Sequence, residues 1–207
     1  MAEKYLGVKF QTHLSLSKIS ENAKLFELQD WCLVFAKYGL CPVFKGGSGG
    51  NLSFRLNAGE NKFIITASGL NLNEATSNSD FVEVFDCDMQ SLSVFAKGSK
   101  KPSSESMLHY SIYSQRSDVN AIFHAHSPAI LQAKATFGWA ETSREAPYGS
   151  MELLKRVDEI LHLGNFLIMK NHGFLSLGKS MKQAGENALQ NQEKALFSAK
   201  TLKPTSD

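Results

Sequence analysis

Two histidines one residue apart, His124 and His126, close the apolar run Ala121-Ile122-Phe123. Side chains at i and i+2 of a strand point to the same side of a sheet. A strand that ends in His-x-His therefore aims two imidazoles at one point. Imidazole is the commonest metal ligand a protein offers, and two convergent rings make half of a tetrahedral site. The pattern predicts a metalloenzyme whose remaining ligands lie elsewhere in the chain. His13, His109, His162 and His172 are left. His172 is the best third ligand, because a predicted strand (165–170) runs into Asn171-His172-Gly173. His109 and His162 fall on helical patterns and read as ordinary core or surface residues. Glu105, which follows Lys100-Lys101-Pro102-Ser103-Ser104, has two readings. One is an acidic first turn behind a serine cap, worth about 1 kcal/mol to a helix. The other is a carboxylate that reaches the metal, or moves a proton beside it.

A second constellation is rich in glycine and small hydroxyls. Residues 45–51 read Lys-Gly-Gly-Ser-Gly-Gly-Asn. Backbone N–H groups of such a turn can converge on an anion. The segment is no P-loop, since it lacks Gly-Lys-Ser/Thr at the required spacing. It precedes a strand rather than a helix, which also excludes the dinucleotide fingerprint. Thr66-Ala67-Ser68-Gly69 forms another such turn at a strand end. Ser103 and Ser104 form a third, near a helix start where phosphate is favoured. Spacing alone does not bring the three together.

The elements that must position these groups follow from periodicity. Helices are expected over 17–38, 104–115, 128–135, 150–163 and 181–202. Strands are expected over 52–56, 62–66, 81–85, 91–95, 121–124, 165–170 and 174–177, with 86–90 as a hairpin turn. Hairpins mixed with helices argue for an α/β chain whose largely antiparallel sheet carries packed helices. No repeat or linker interrupts residues 1–207, so one domain is expected, with its core at about 20–202, a short N-terminal extension and a loose C-terminal tail. Hydrophobic residues make up 43% and charged ones 20%, ordinary for a globular protein. A net charge of +2 gives no footprint for nucleic acid. No run approaches the ~18 apolar residues of a membrane span. Cys32, Cys41 and Cys87 form no CxxC pair and read as buried thiols. With no apolar leader in MAEKYLGVKF, cytoplasmic placement is expected.

From about residue 25 to 196 the chain resembles the class II aldolase/adducin family. Gly49-Gly50-Asn51-Leu52-Ser53, Thr66-Ala67-Ser68-Gly69, Pro102-Ser103-Ser104-Glu105, His124-Ala125-His126 and Asn171-His172-Gly173 carry the likeness in order. The resemblance implies a three-layer α/β/α sandwich around a mostly antiparallel sheet. It implies a divalent metal, zinc foremost with Mn2+, Co2+ and Fe2+ as alternatives, held by His124, His126 and His172. Glu105 is then a metal neighbour and the acid/base. Gly50, Asn51, Ser68, Gly69, Ser103 and Ser104 would hold a substrate phosphate, and Pro147-Tyr148-Gly149-Ser150 would frame the site. The implied activity is cleavage of a small phosphorylated ketose to dihydroxyacetone phosphate and an aldehyde, through a metal-stabilised enediolate. Epimerase, dehydratase and decarboxylase are related alternatives, and a non-catalytic adducin-like scaffold is another. The family's homotetramer is carried over with it.

The chain also departs from the family. Only 46 positions separate His126 from His172, and no tyrosine occurs between His126 and Tyr148 or after Tyr148. The family's aldolases use tyrosines from those regions to protonate the leaving aldehyde. The metal half of the site is legible here, while the proton donor is unassigned.

Overall fold

The structure, a computed structural model, describes residues 9–44, 47–74 and 77–201. Lys45 and Gly46 of the glycine-rich segment, and the expected loose tail, lie outside the described residues. In chain order the strands are β1 (Gln11–Ser15), β2 (Val43–Phe44), β3 (Gly47–Ser48), β4 (Asn51–Arg55), β5 (Phe63–Thr66), β6 (Phe81–Asp88), β7 (Ser93–Lys97), β8 (Ala121–Ala125), β9 (Ala140–Glu141), β10 (Phe166–Met169) and β11 (Gly173–Gly178). The helices are α1 (Lys24–Lys37), α2 (Ser106–Gln115), α3 (Pro128–Phe137), α4 (Met151–Ile160) and α5 (Met181–Thr201).

Nine strands form one sheet in the order β1-β7-β6-β5-β4-β8-β11-β10-β9. Only the two edge pairings, β1 with β7 and β9 with β10, are parallel. Alternation along the strands feeds two apolar layers. Phe63, Ile65, Ile122 and Leu175 face α2 and α4, and meet Leu108, Ile112, Leu154 and Val157. Ile64, Leu52, Phe123 and Phe174 face the other way, onto Leu28 and Phe35 of α1, Ile130 of α3 and Ala188 of α5. Helices therefore cover both faces, as the expected α/β/α sandwich requires. Cys32, Cys41 and Cys87 are buried and unbridged.

Several boundaries differ from expectation. The first helix begins at Lys24, not at 17, because the Asn22 carboxamide accepts the Lys24 N–H and turns the chain there. The expected turn 86–90 is partly strand. β6 runs on to Asp88 past a bulge between Val84 and Asp86. Asp88 then accepts N–H bonds from Gln90 and Ser91, which moves the turn later. The helix expected over 150–163 stops at Ile160 and tightens into a 3-10 turn, Leu161–Leu163. β1 was not anticipated; as an edge strand its burial is only partial, so its sequence lacks a strong apolar alternation.

Candidate metal centre

The site is built on the middle of the sheet. β8 lies between β4 and β11, with Asn51 opposite His124 and Phe174 opposite Ala125. His124 is fully buried. Its Nδ1 lies 2.9 Å from the Phe174 carbonyl oxygen, which can only accept, so Nδ1 carries the proton. Nε2 is left with a free lone pair, the usual way a second partner fixes a metal-binding tautomer.

His126 stands just beyond the strand. Its backbone N–H donates to the Leu40 carbonyl at 2.8 Å, and the next residue, Ser127, caps α3 by accepting the Ile130 N–H. The chain thus turns away immediately after presenting the second ring. His172 sits in the turn from β10 to β11, where Asn171 takes φ 57° and the His172 N–H donates to Met169. Gly173 is needed at this turn for a close approach: a Cβ there would lie 2.5 Å from the Ala125 oxygen and 2.8 Å from carbons of both other rings. The centroids of the three rings are 4.8, 4.9 and 5.0 Å apart. Their ligand nitrogens all lie within 4.8 Å of one another.

Glu105 completes the cluster. It is the residue before α2, with no acidic residue in the first turn and no side-chain cap bond, so the serine-cap reading does not hold. The Ser103 hydroxyl instead accepts the Glu105 N–H in the approach to the helix. The carboxylate points inward: Asn51 Nδ2 donates to Oε2 at 2.8 Å, and His124 Nε2 lies 3.1 Å from that same oxygen. Oε1 is 3.7 Å from His172 Nε2 and is buried without a hydrogen-bond partner.

Electrostatics favour ligation. Burial, then the neighbouring His124 and His172 rings, push the His126 pKa well down. Burial, then His124 and Lys9, lower His172 to about 3. Both rings are therefore neutral at physiological pH, with a lone pair available. His126 Nε2 lies 3.0 Å from His124 Nε2. Imidazoles around a tetrahedral zinc hold their nitrogens about 3.3 Å apart, given Zn–N near 2.0–2.1 Å. Three imidazoles whose ligand nitrogens converge, beside a buried carboxylate oxygen with no hydrogen-bond partner, make a ready donor set. A divalent cation fits that donor set.

Above the rings opens a cleft of about 650 Å³, counted out to its mouth. Gly50, Asn51, Ser68, Gly69, Ser103, Ser104, Glu105, His126, Tyr148 and His172 all line it, with His124 beneath. Backbone bonds stitch the three small-residue turns together. Ala67 bridges to Pro102, Ser68 N–H donates to Lys101, and Ser103 N–H donates to Thr66. Ser48 N–H donates to Leu70, which ties in the glycine segment. Gly50 (φ 100°) lies against the backbone of β8, where a Cβ would come within 2.7 Å of the His124 oxygen.

The remaining histidines stay out of the cluster. His109 is buried and bonded through Nδ1 to Ser53, which also contacts the Tyr113 hydroxyl; burial foremost lowers its pKa to about 3. His162 is exposed on the 3-10 turn, and His13 stacks on Phe95. Two features escaped the sequence reading. Asn51 orients Glu105, a role signalled only by its register opposite His124. Lys9 donates to the Tyr148 carbonyl at 2.6 Å and lies 3.8 Å over its ring, with no local motif to announce it.

A sheet sandwiched by helices, with a histidine cluster at its centre that could hold a metal ion and a carboxylate beside it, is an arrangement suited to metal-dependent α/β enzymes. Residues 26–196 match the family described as Class II Aldolase and Adducin N-terminal domain, so the chain belongs to the class II aldolase/adducin family. It is an enzyme of the class II aldolase type. An L-fuculose phosphate aldolase of Methanococcus maripaludis is 32% identical over 152 residues, covering 67% of this chain and 77% of that protein. A methylthioribulose-1-phosphate dehydratase of Leptospira biflexa is 31% identical over 141 residues, covering 68% of this chain and 60% of its own length. In fold, a sugar-phosphate aldolase from Thermotoga maritima superposes with a TM-score of 0.73 at 19% identity, over 89% of this chain and 97% of that one.

Proposed function

We propose that this chain is a metal-dependent carbon–carbon lyase that cleaves a small phosphorylated ketose to dihydroxyacetone phosphate and an aldehyde. The observation that carries the reading is the meeting of three imidazoles and Glu105 on the floor of a cleft walled by hydroxyl- and glycine-bearing turns. His124, His126 and His172 would hold the metal, zinc by preference for nitrogen donors in a tetrahedral set. When bound, the metal supplies the Lewis acidity that a carbonyl needs to carry the charge of a broken carbon–carbon bond.

The chain's own residues do the rest. Glu105 takes and returns the proton on the substrate carbon through Oε1, while Asn51 holds Oε2 and fixes the carboxylate's angle. The hydroxyls of Ser68, Ser103 and Ser104, the amide of Asn51 and the backbone of Gly50 and Gly69 grip the phosphate. That grip orients the sugar and excludes water from its carbonyl end. We read residues 1–207 as one such domain, cytoplasmic, and assembled as the family's homotetramer.

Dehydration is the second reading, supported by the dehydratase relative and by the want of a tyrosine between His126 and Tyr148 to protonate an aldehyde. Epimerisation and decarboxylation share the same metal half-site. Incubation with a panel of ketose 1-phosphates separates these readings. A lyase liberates dihydroxyacetone phosphate and an aldehyde; a dehydratase releases a single product lighter by one water.

A further inference from the structure

We propose that Lys9, brought in by the N-terminal edge strand, is a substrate-binding residue whose ammonium supplies positive charge to the cleft. This rests on the reading of the substrate as a phosphorylated sugar. A sugar phosphate brings about −1.5 to −2 charges at neutral pH. Among the described residues, the cleft that would receive it is lined by glycines, serines, Asn51, Thr66, Tyr148, small apolar residues, neutral imidazoles and one carboxylate, with no lysine or arginine in its wall. The metal held by the three rings would engage the carbonyl end of the sugar, and Glu105 opposes the anion, so a further positive charge beside the hydroxyl-bearing turns favours the phosphate.

Lys9 is a cation that the fold sets against one wall residue of the cleft, Tyr148. Its Nζ donates to the Tyr148 carbonyl and covers the Tyr148 ring at 3.8 Å, a cation–π arrangement. Tyr148 lines the cleft together with Ser104 and His172. The next residue, Gly149, presses on Ser104 so closely that a Cβ would stand 2.6 Å from the Ser104 oxygen. The ammonium therefore sits one residue from the backbone that touches the serine pair. Its charge is also felt at His172 on the cleft floor.

The placement is built in. Phe10 is buried in the core beside Lys9, and β1 continues in parallel register with β7 from Gln11↔Ser93 to Ser15↔Lys97. The His13 ring stacks on Phe95. Lys9 and β1 precede residues 26–196, the span that matches the family.

The test uses the metal-loaded, full-length protein with dihydroxyacetone phosphate and its uncharged counterpart dihydroxyacetone, followed by calorimetry. Lys9→Met is expected to weaken dihydroxyacetone phosphate about fivefold at low ionic strength, the size of the attraction between one ammonium and a nearby dianion in water. The loss should shrink below about twofold in 0.5 M salt, where the Debye length falls near 4 Å. Lys9→Arg should stay within about twofold of the parent, and dihydroxyacetone should be indifferent to either change. Equal binding of dihydroxyacetone phosphate by the parent and Lys9→Met would overturn the inference alone. Matching, salt-independent losses for both variants and both ligands would also overturn it, by showing that Lys9 only props Tyr148. Failure of the parent protein to prefer the phosphorylated ligand would overturn the sugar-phosphate reading and this inference with it.

Discussion

Gly173→Ala is expected to disrupt the candidate metal centre without removing any ligand atom. The added methyl would start 2.5 Å from the Ala125 carbonyl oxygen, 2.8 Å from His124 Cε1 and 2.8 Å from His126 Cδ2. Those gaps are about 0.7 to 1 Å short of ordinary contact near 3.5 Å. The closest neighbour is backbone in a central strand, where Phe174 pairs with Ala125, so it cannot swing aside as a long side chain would. The strain must open β11 from β8 or drive the two rings apart. Metal sites tolerate only about 0.2 Å in ligand distance, so either response exceeds what the centre accepts. Overpacking of this kind costs about 1–3 kcal/mol in stability. A comparable loss at the metal is roughly 10- to 100-fold in affinity, since each 1.4 kcal/mol is tenfold. Chelator competition with a chromogenic zinc indicator measures the affinity, and urea unfolding of the metal-free protein measures the stability. Parent-like zinc affinity in Gly173→Ala would refute the packing argument, because the rings would then not need the bare glycine between them.

Other expectations follow from the same geometry. Glu105→Gln keeps the Asn51 contact and the shape of the floor but loses the proton acceptor. Its kcat should fall by roughly 10²–10⁴ while metal content stays stoichiometric; undiminished turnover would remove Glu105 from the chemistry. The metal-free protein should lose stability in acid. His109 and His172 titrate near 3 when folded and near 6.5 when unfolded, so below about 6.5 only the unfolded chain takes up their protons. Stability is fully present above that pH and declines by up to about 1.4 kcal/mol per pH unit per histidine as pH falls toward 3. Urea midpoints across that range test this, and a His109→Gln variant should show a shallower decline.

Much of the centre was legible because its chemistry is written locally. The His-x-His pair marks a strand end whatever the rest of the fold does, even though β8 closes at Ala125 and leaves His126 just outside it. The strand before His172 and the glycine after it are equally local. Glu105 was ambiguous for a physical reason: Pro-Ser-Ser-Glu suits a helix start, and only the sheet register that sets Asn51 opposite His124 turns the carboxylate inward. Edge strands were the weak point. β1 is half exposed and β9 has two residues, so neither carries the apolar alternation that betrays buried strands. Lys9 was invisible for a related reason, since its neighbour Tyr148 is 139 positions away and no spacing rule links them.

The central claim is that His124, His126 and His172 together grip one catalytic cation. Elemental analysis of the purified native protein, paired with a sugar-phosphate cleavage assay before and after chelation, tests it most directly. The account predicts one divalent ion per chain, activity lost in step with its removal and restored by zinc, and neither ion nor activity in His126→Ala. Full turnover by the chelated, metal-free protein would contradict it.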